Sequence, residues 1–168
     1  NFEAAIRWMP SRMSYHEKLG ERLTREAWQF QGKERHRLFR QAEKAYREAL
    51  ALFPFNAQSA HALGEILKAK GEIQEADHWL GQAVIYDPQN PFYWKHWAEI
   101  KLTRGEAPQA AQAFRRAAGL ARPHHFFLHV FENLDRPEYF IRRGEAVLNQ
   151  GQVEFAETCF SIAQEFDP

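Results

Sequence analysis

A spacing of 34 residues constrains this chain more than any single motif. Ala42, Tyr46, Ala49 and Pro54 recur as Ala76, Leu80, Ala83 and Pro88, then as Ala110, Phe114 and Ala117 with Arg122-Pro123 behind them. A further copy reads Ala156, Phe160, Ala163 and Pro168. Upstream of each set stands a small residue in a common setting: Leu19-Gly20-Glu21, Leu63-Gly64-Glu65, Trp97-Ala98-Glu99 and Arg143-Gly144-Glu145. Gly71-Glu72, Gly105-Glu106 and Gly151-Gln152 separate the two signatures in three copies. Such self-similarity points to stacked units, because one unit cannot bury its own apolar face.

The pattern describes a helical hairpin. Leu63, Gly64 and Leu67 share one helical face, and the small residue permits close approach of a partner helix. Gly71 supplies a left-handed terminus, and Ala76, Leu80 and Ala83 then line one face of a second helix. Pro88 and Pro91 mark the passage to the next hairpin. Composition agrees: 24 alanines outnumber the 14 Val, Ile and Thr residues combined, a balance that favours helix over strand.

Large-x-x-Leu-Gly, then Ala-x-x-x-Phe/Tyr, then Pro at this period resembles a tetratricopeptide repeat (TPR) array. Trp94-Lys95-His96-Trp97-Ala98 is similar to the family's opening, with Trp97 in place of its leucine and Ala98 in place of its glycine. The resemblance implies an all-α fold, a right-handed superhelical solenoid of antiparallel helix hairpins. It divides the chain into a half-repeat (1–10), an elongated repeat (13–56), repeats at 57–90 and 91–123, an insert (124–136) and a last repeat (137–168).

Two spacings break the register. Gly20 to Ala42 is 22 residues against 12 from Gly64 to Ala76, so the first full repeat carries ten extra. Leu19, Leu23, Ala27 and Phe30, then Leu38, Ala42 and Tyr46, keep helical spacing, which predicts two lengthened helices with a turn near Gly32-Lys33. Gly105 to Gly151 is 46 residues, leaving twelve extra around Pro123 to Arg136. That insert is apolar enough to pack as a short helix or ordered loop.

Reactive chemistry is sparse. Lys plus Arg and Asp plus Glu both number 22, so no broad basic footprint favours nucleic acid. The one cysteine, Cys159, excludes an internal disulfide and reads as an ordinary helix residue. Phosphate loops, nucleophile elbows and His-Glu-x-x-His pairs are absent, so the chain reads as no enzyme, with no cofactor and no metal. His125 and His129 share a helical face beside His124, yet the intervening Phe126, Phe127, Leu128 and Val130 read as packing. Trp94 and Trp97 occupy inter-helix core positions; Trp8, Trp28 and Trp79 cannot be placed.

The TPR resemblance implies a concave groove lined by the first helices, which binds extended or helical peptides. The residue after each small Gly or Ala looks into it: Glu21, Glu65, Glu99 and Glu145. His61, Lys95 and Ile141 lie four residues before their glutamates, and Lys68, Leu102 and Leu148 three after. Lys95 is placed to pair with Glu99, a contribution of about 0.3–0.5 kcal/mol. With Phe92 added, the groove is mixed acidic and apolar, which suits a basic-amphipathic peptide or helix. Glu65 and Glu99 stand where the chaperone-tail clamp of some TPR modules carries asparagine, and would repel a carboxylate. A non-catalytic protein-protein interaction scaffold is the function expected.

A different reading starts from the N-terminus. Ala5-Ile6-Arg7-Trp8-Met9-Pro10, with Tyr15-His16 and Leu19-Gly20, resembles the TPR tail of bacterial O-antigen polymerase or ligase-like membrane proteins over some fifty residues. That resemblance implies a soluble periplasmic tail, with catalysis in a membrane part outside this sequence. No stretch approaches the roughly 20 apolar residues that span a bilayer, so direct membrane insertion is not expected. Asn1 rather than methionine comes first, so a fragment is expected and the compartment, cytoplasmic or periplasmic, stays open. The unmatched ends of the array suggest self-association.

Overall fold

The structure is a computed structural model that describes residues 2–121, 133, 134 and 136–166, with side chains from Tyr15 onward. Among them stand eight α-helices and no strand: α1 (Phe2–Ala27), α2 (Gly32–Leu52), α3 (Ala57–Lys70), α4 (Ile73–Tyr86), α5 (Pro91–Thr103), α6 (Ala107–Ala121), α7 (Pro137–Leu148) and α8 (Val153–Phe166). They form two compact units, Asn1–Tyr86 and Asp87–Pro168.

In the first unit α1 pairs with α2 and α3 with α4, while α2 packs on α3 and α1 touches it. The small-residue signature explains the close pairing. A Cβ on Gly20 would lie 2.8 Å from the Tyr46 ring, and one on Gly64 would lie 2.6 Å from Leu80 Cγ. Each large residue of a second helix therefore sits on the bare backbone of the first. Gly71, at φ 83°, ends α3, a conformation that side chains resist. Its N–H donates to Lys68 O and that of Glu72 to Leu67 O, the paired bonds that close a helix terminus. The start of α3 is set by Asn56, whose side chain accepts from Ser59 N at 2.8 Å.

The elongated repeat is built from two long helices of 26 and 21 residues, against 14 each for α3 and α4. The turn lies just before the position expected, with Gly32 at φ 60° opening α2. Pro10 does not separate a half-repeat from the first hairpin, because α1 runs through it as one helix. Neither a glycine turn nor an asparagine cap follows Pro10 before Gly20, whereas Pro54 is followed by the capping Asn56. Trp8 and the array ends involve side chains outside those described.

In the second unit α5 pairs with α6 and α7 with α8. Gly144 repeats the close approach, its Cβ position 2.6 Å from Phe160 Cε1; Ala98 takes that place in α5 and is fully buried, as is Phe114. Phe114, Phe140 and Phe166 form an aromatic spine, with ring centroids 5.1 and 5.4 Å apart. Trp94 and Trp97 pack against this core, and Trp94 Nε1 donates to Pro88 O at 2.9 Å. The last hairpin docks differently from those of the first unit: α6 packs on α8, and α5 reaches the hairpin mainly through α8. A plain 34-residue step would bring α7 onto α6 as α3 is brought onto α2; the insertion between α6 and α7 removes that constraint. His124, His125 and His129 lie outside the described residues, while Leu134 of the insert is buried in the core.

Candidate interaction surfaces

The glutamates expected in one groove are distributed over both units, and three of them carry a cation of their own helix. Glu21 on α1 is exposed and bonded to Arg25 at 2.9 Å. Glu65 on α3 is half-buried, 3.6 Å from Lys68, with His61 one turn earlier. Lys95 and Glu99 on α5 pair at 2.8 Å, the contact their spacing predicts, and both side chains are about four-fifths buried. An ion pair of opposite charges presents a dipole rather than a net charge, so its attraction for a distant cation is weak. The stripe is thus less acidic than a count of its glutamates suggests.

Leu102 corrects the groove expectation. At 1% exposure it belongs to the second unit's core and lines no surface. Four residues after Ala98, it follows that core residue on the same side of α5 and is drawn into the packing behind it. Phe92 is likewise packed partly against this core.

α7 carries three of the expected residues. Ile141 and Leu148 are 41% and 45% exposed, and Glu145 stands between them, also exposed. Spacings of four and three place all three on one face. Glu145 makes no side-chain hydrogen bond or ion pair among the described residues, and exposed Arg142 stands three residues before it on the same helix.

Other surfaces escaped the sequence reading. A cleft of about 440 Å³ in the first unit runs between α2 and α4, with Trp79, Tyr86, His78 and Arg47 in its walls. A larger one, about 890 Å³, surrounds the start of α7 and includes Arg136, Arg142 and Arg143 with Tyr139. Trp28 and Phe30 stand 55% and 43% exposed at the tip of the first hairpin. The ten-residue excess signalled the tip, but only coordinates separate its outward aromatics from the inward Leu38 and Phe39. Cys159 offers no reactive thiol: it is fully buried, and burial pushes its pKa up despite nearby Arg143.

No family model and no curated protein matches the chain. Among solved structures it is similar to TTC0263, a thermophilic TPR protein of Thermus thermophilus, at 22% identity and TM-score 0.63, over 79% of this chain and 68% of that one. MamA is similar at 16% identity and TM-score 0.58, over 94% and 93% of the two chains. The type III secretion translocator chaperone SycD of Yersinia enterocolitica, in complex with a peptide of the translocator YopD, is similar at 21% identity and TM-score 0.56, over 68% and 85%. At these identities the likeness shows the fold alone, which is that of a tetratricopeptide-repeat array.

Proposed function

We propose that this tetratricopeptide-repeat array is a non-catalytic scaffold, and that it binds a basic-amphipathic peptide or partner helix on the first-helix faces of its hairpins. The observation that carries the reading is the α7 face, where the exposed Ile141 and Leu148 flank the exposed Glu145. Two large aliphatic side chains held in water bring apolar area to a contact, at roughly 25 cal/mol per Å² removed from water. A carboxylate between them selects a cation on the partner. Lys95–Glu99 and Glu65–Lys68 act as polar surroundings elsewhere on these helices rather than as the main attraction. Among the solved neighbours, the peptide held by SycD is consistent with a binding role for such a fold. The reading as the tail of an envelope polysaccharide enzyme draws no support from the neighbours named above.

The test is a partner capture comparing the parent chain with Ile141→Ser/Leu148→Ser and with Glu145→Lys. Both variants are expected to stay helical and melt near the parent temperature, because all three positions are exposed. Loss of captured partners in both supports the reading. An unchanged capture profile in both would remove it.

A further inference from the structure

The tip of the elongated first hairpin has a composition of its own. α2 and α3 meet at a short turn, residues 53–56, but α2 has seven residues more than α3 (21 against 14). At 1.5 Å per residue, α2 therefore extends about 10 Å beyond the far end of α3. The ion pair of Lys70, the last residue of α3, with Glu43 at 2.7 Å likewise leaves the start of α2 beyond the end of α3, since eleven residues of α2 precede Glu43. The tip of α1 and α2 thus projects past the neighbouring hairpin of its own unit.

Two aromatic side chains point into solvent there, Trp28 at 55% and Phe30 at 43% exposure. They are held in place rather than loosely displayed. Trp28 N, Gln29 N and Phe30 N bond to Thr24 O, Glu26 O and Ala27 O, closing the turn. Arg35 stacks on the Trp28 ring at 4.3 Å, and Phe39 meets it edge-on at 5.3 Å. Around them the charge is one-sided. From Glu21 to Arg40 there are six cations (Arg22, Arg25, Lys33, Arg35, Arg37 and Arg40) against Glu21, Glu26 and Glu34, within a chain of zero net charge. Arg25 and Arg37 are paired with Glu21 and Glu34, which leaves the surplus on the other cations.

We propose that this tip is a peripheral docking element for an anionic lipid surface. Trp and Phe favour the depth of a bilayer's headgroups, and cations around them are drawn to acidic lipids. The contact is shallow and made by two side chains of a turn, which is distinct from a spanning segment; no described helix is long and apolar enough to cross a membrane. This inference does not depend on the peptide-binding reading, since none of the α7 face residues takes part.

The experiment is co-sedimentation of the whole chain with vesicles of phosphatidylcholine alone and of phosphatidylcholine with about 40% phosphatidylglycerol, at low and physiological salt. Binding is expected for the anionic vesicles, falling with salt. Trp28→Ser/Phe30→Ser should reduce the bound fraction at least tenfold at limiting lipid, and Lys33→Glu/Arg40→Glu should do the same. Because Lys33 and Arg40 are exposed, the second variant guards against a folding defect in the first. Phe55→Ser, which removes an exposed aromatic outside the tip, should leave binding unchanged. Equal binding to neutral vesicles, retention in either tip variant, or no binding by the parent would overturn the proposal. A tip that instead captures a protein, while the parent ignores anionic vesicles, falls under the last of these outcomes.

Discussion

Leu80 Cγ lies 2.6 Å from the point where a Cβ on Gly64 would stand. The second helix of this hairpin is therefore set at a distance that only a bare backbone permits. Gly64→Ala is expected to lower unfolding stability by about 2 kcal/mol, since α4 and Leu80 must shift to admit the methyl. Gly119→Ala is the contrasting case. It lies within α6 with nothing of the described residues within 4 Å of its Cβ position, so it should gain about 0.5–1 kcal/mol from helix propensity. Urea denaturation of both variants checks the pair, and a Gly64→Ala variant as stable as the parent would contradict the packing described.

Ser59 is fully buried, and among the described residues its hydroxyl has no hydrogen-bond partner. A buried donor left unsatisfied costs about 1–3 kcal/mol. Ser59→Ala removes the group, improves helix propensity and keeps the Asn56 cap, which uses the backbone N–H. Thermal melts should show a rise corresponding to about 1 kcal/mol.

Glu43 joins three helices through its partners. It bonds Lys70 at 2.7 Å and Arg47 at 2.8 Å, and Arg47 continues to Glu75 at 2.8 Å. Burial alone would raise the Glu43 carboxyl, but the hydrogen bonds from Lys70 and Arg47 outweigh it and hold the pKa below the ordinary value. A lowered folded pKa means that the stabilisation is present above the unfolded value, near 4.5, and is lost as pH falls through the folded one. Glu43→Gln should cost about 1 kcal/mol at neutral pH and flatten the acid limb of a stability profile measured below about pH 5.

Tyr46 governs the opposite limb. Burial pushes its phenol up to about 12 from the ordinary 10. The raised folded pKa leaves stability intact below pH 10 and drains it between pH 10 and 12, by roughly 3 kcal/mol in all. Tyr46→Phe should remove most of that alkaline loss in urea titrations across the same range.

How much of this was legible in the sequence depends on what each feature needs. The pairing of Gly64 with Leu80 and the turn at Gly71 follow from local sterics, so spacing alone located them. The lengthening of α2 was equally plain from the ten extra residues, whereas α1 owes its length to residues before Gly20. Leu102 was misplaced because a three-residue step from Glu99 leaves two faces open, and the choice depends on what packs behind Ala98. The docking of α8 rather than α7 on α6 is a tertiary outcome of the insert, to which the repeat register is blind. Charge compensation was partly visible: the Lys95–Glu99 spacing showed it, whereas the exposure of Ile141 and Leu148 beside Glu145 depends on how α7 docks.

The proposed contact sets the α7 face of Ile141, Glu145 and Leu148 against a basic-amphipathic helix. Calorimetric titration of the whole chain with a designed leucine-lysine amphipathic helix of about 18 residues, and with its leucine-glutamate counterpart, measures this most directly. The lysine peptide is expected to bind at least tenfold more tightly, with the difference collapsing in Glu145→Lys and overall binding weakening in Ile141→Ser/Leu148→Ser. Equal affinity for the two peptides, or a lysine-peptide affinity untouched by all of these substitutions, would contradict the claim.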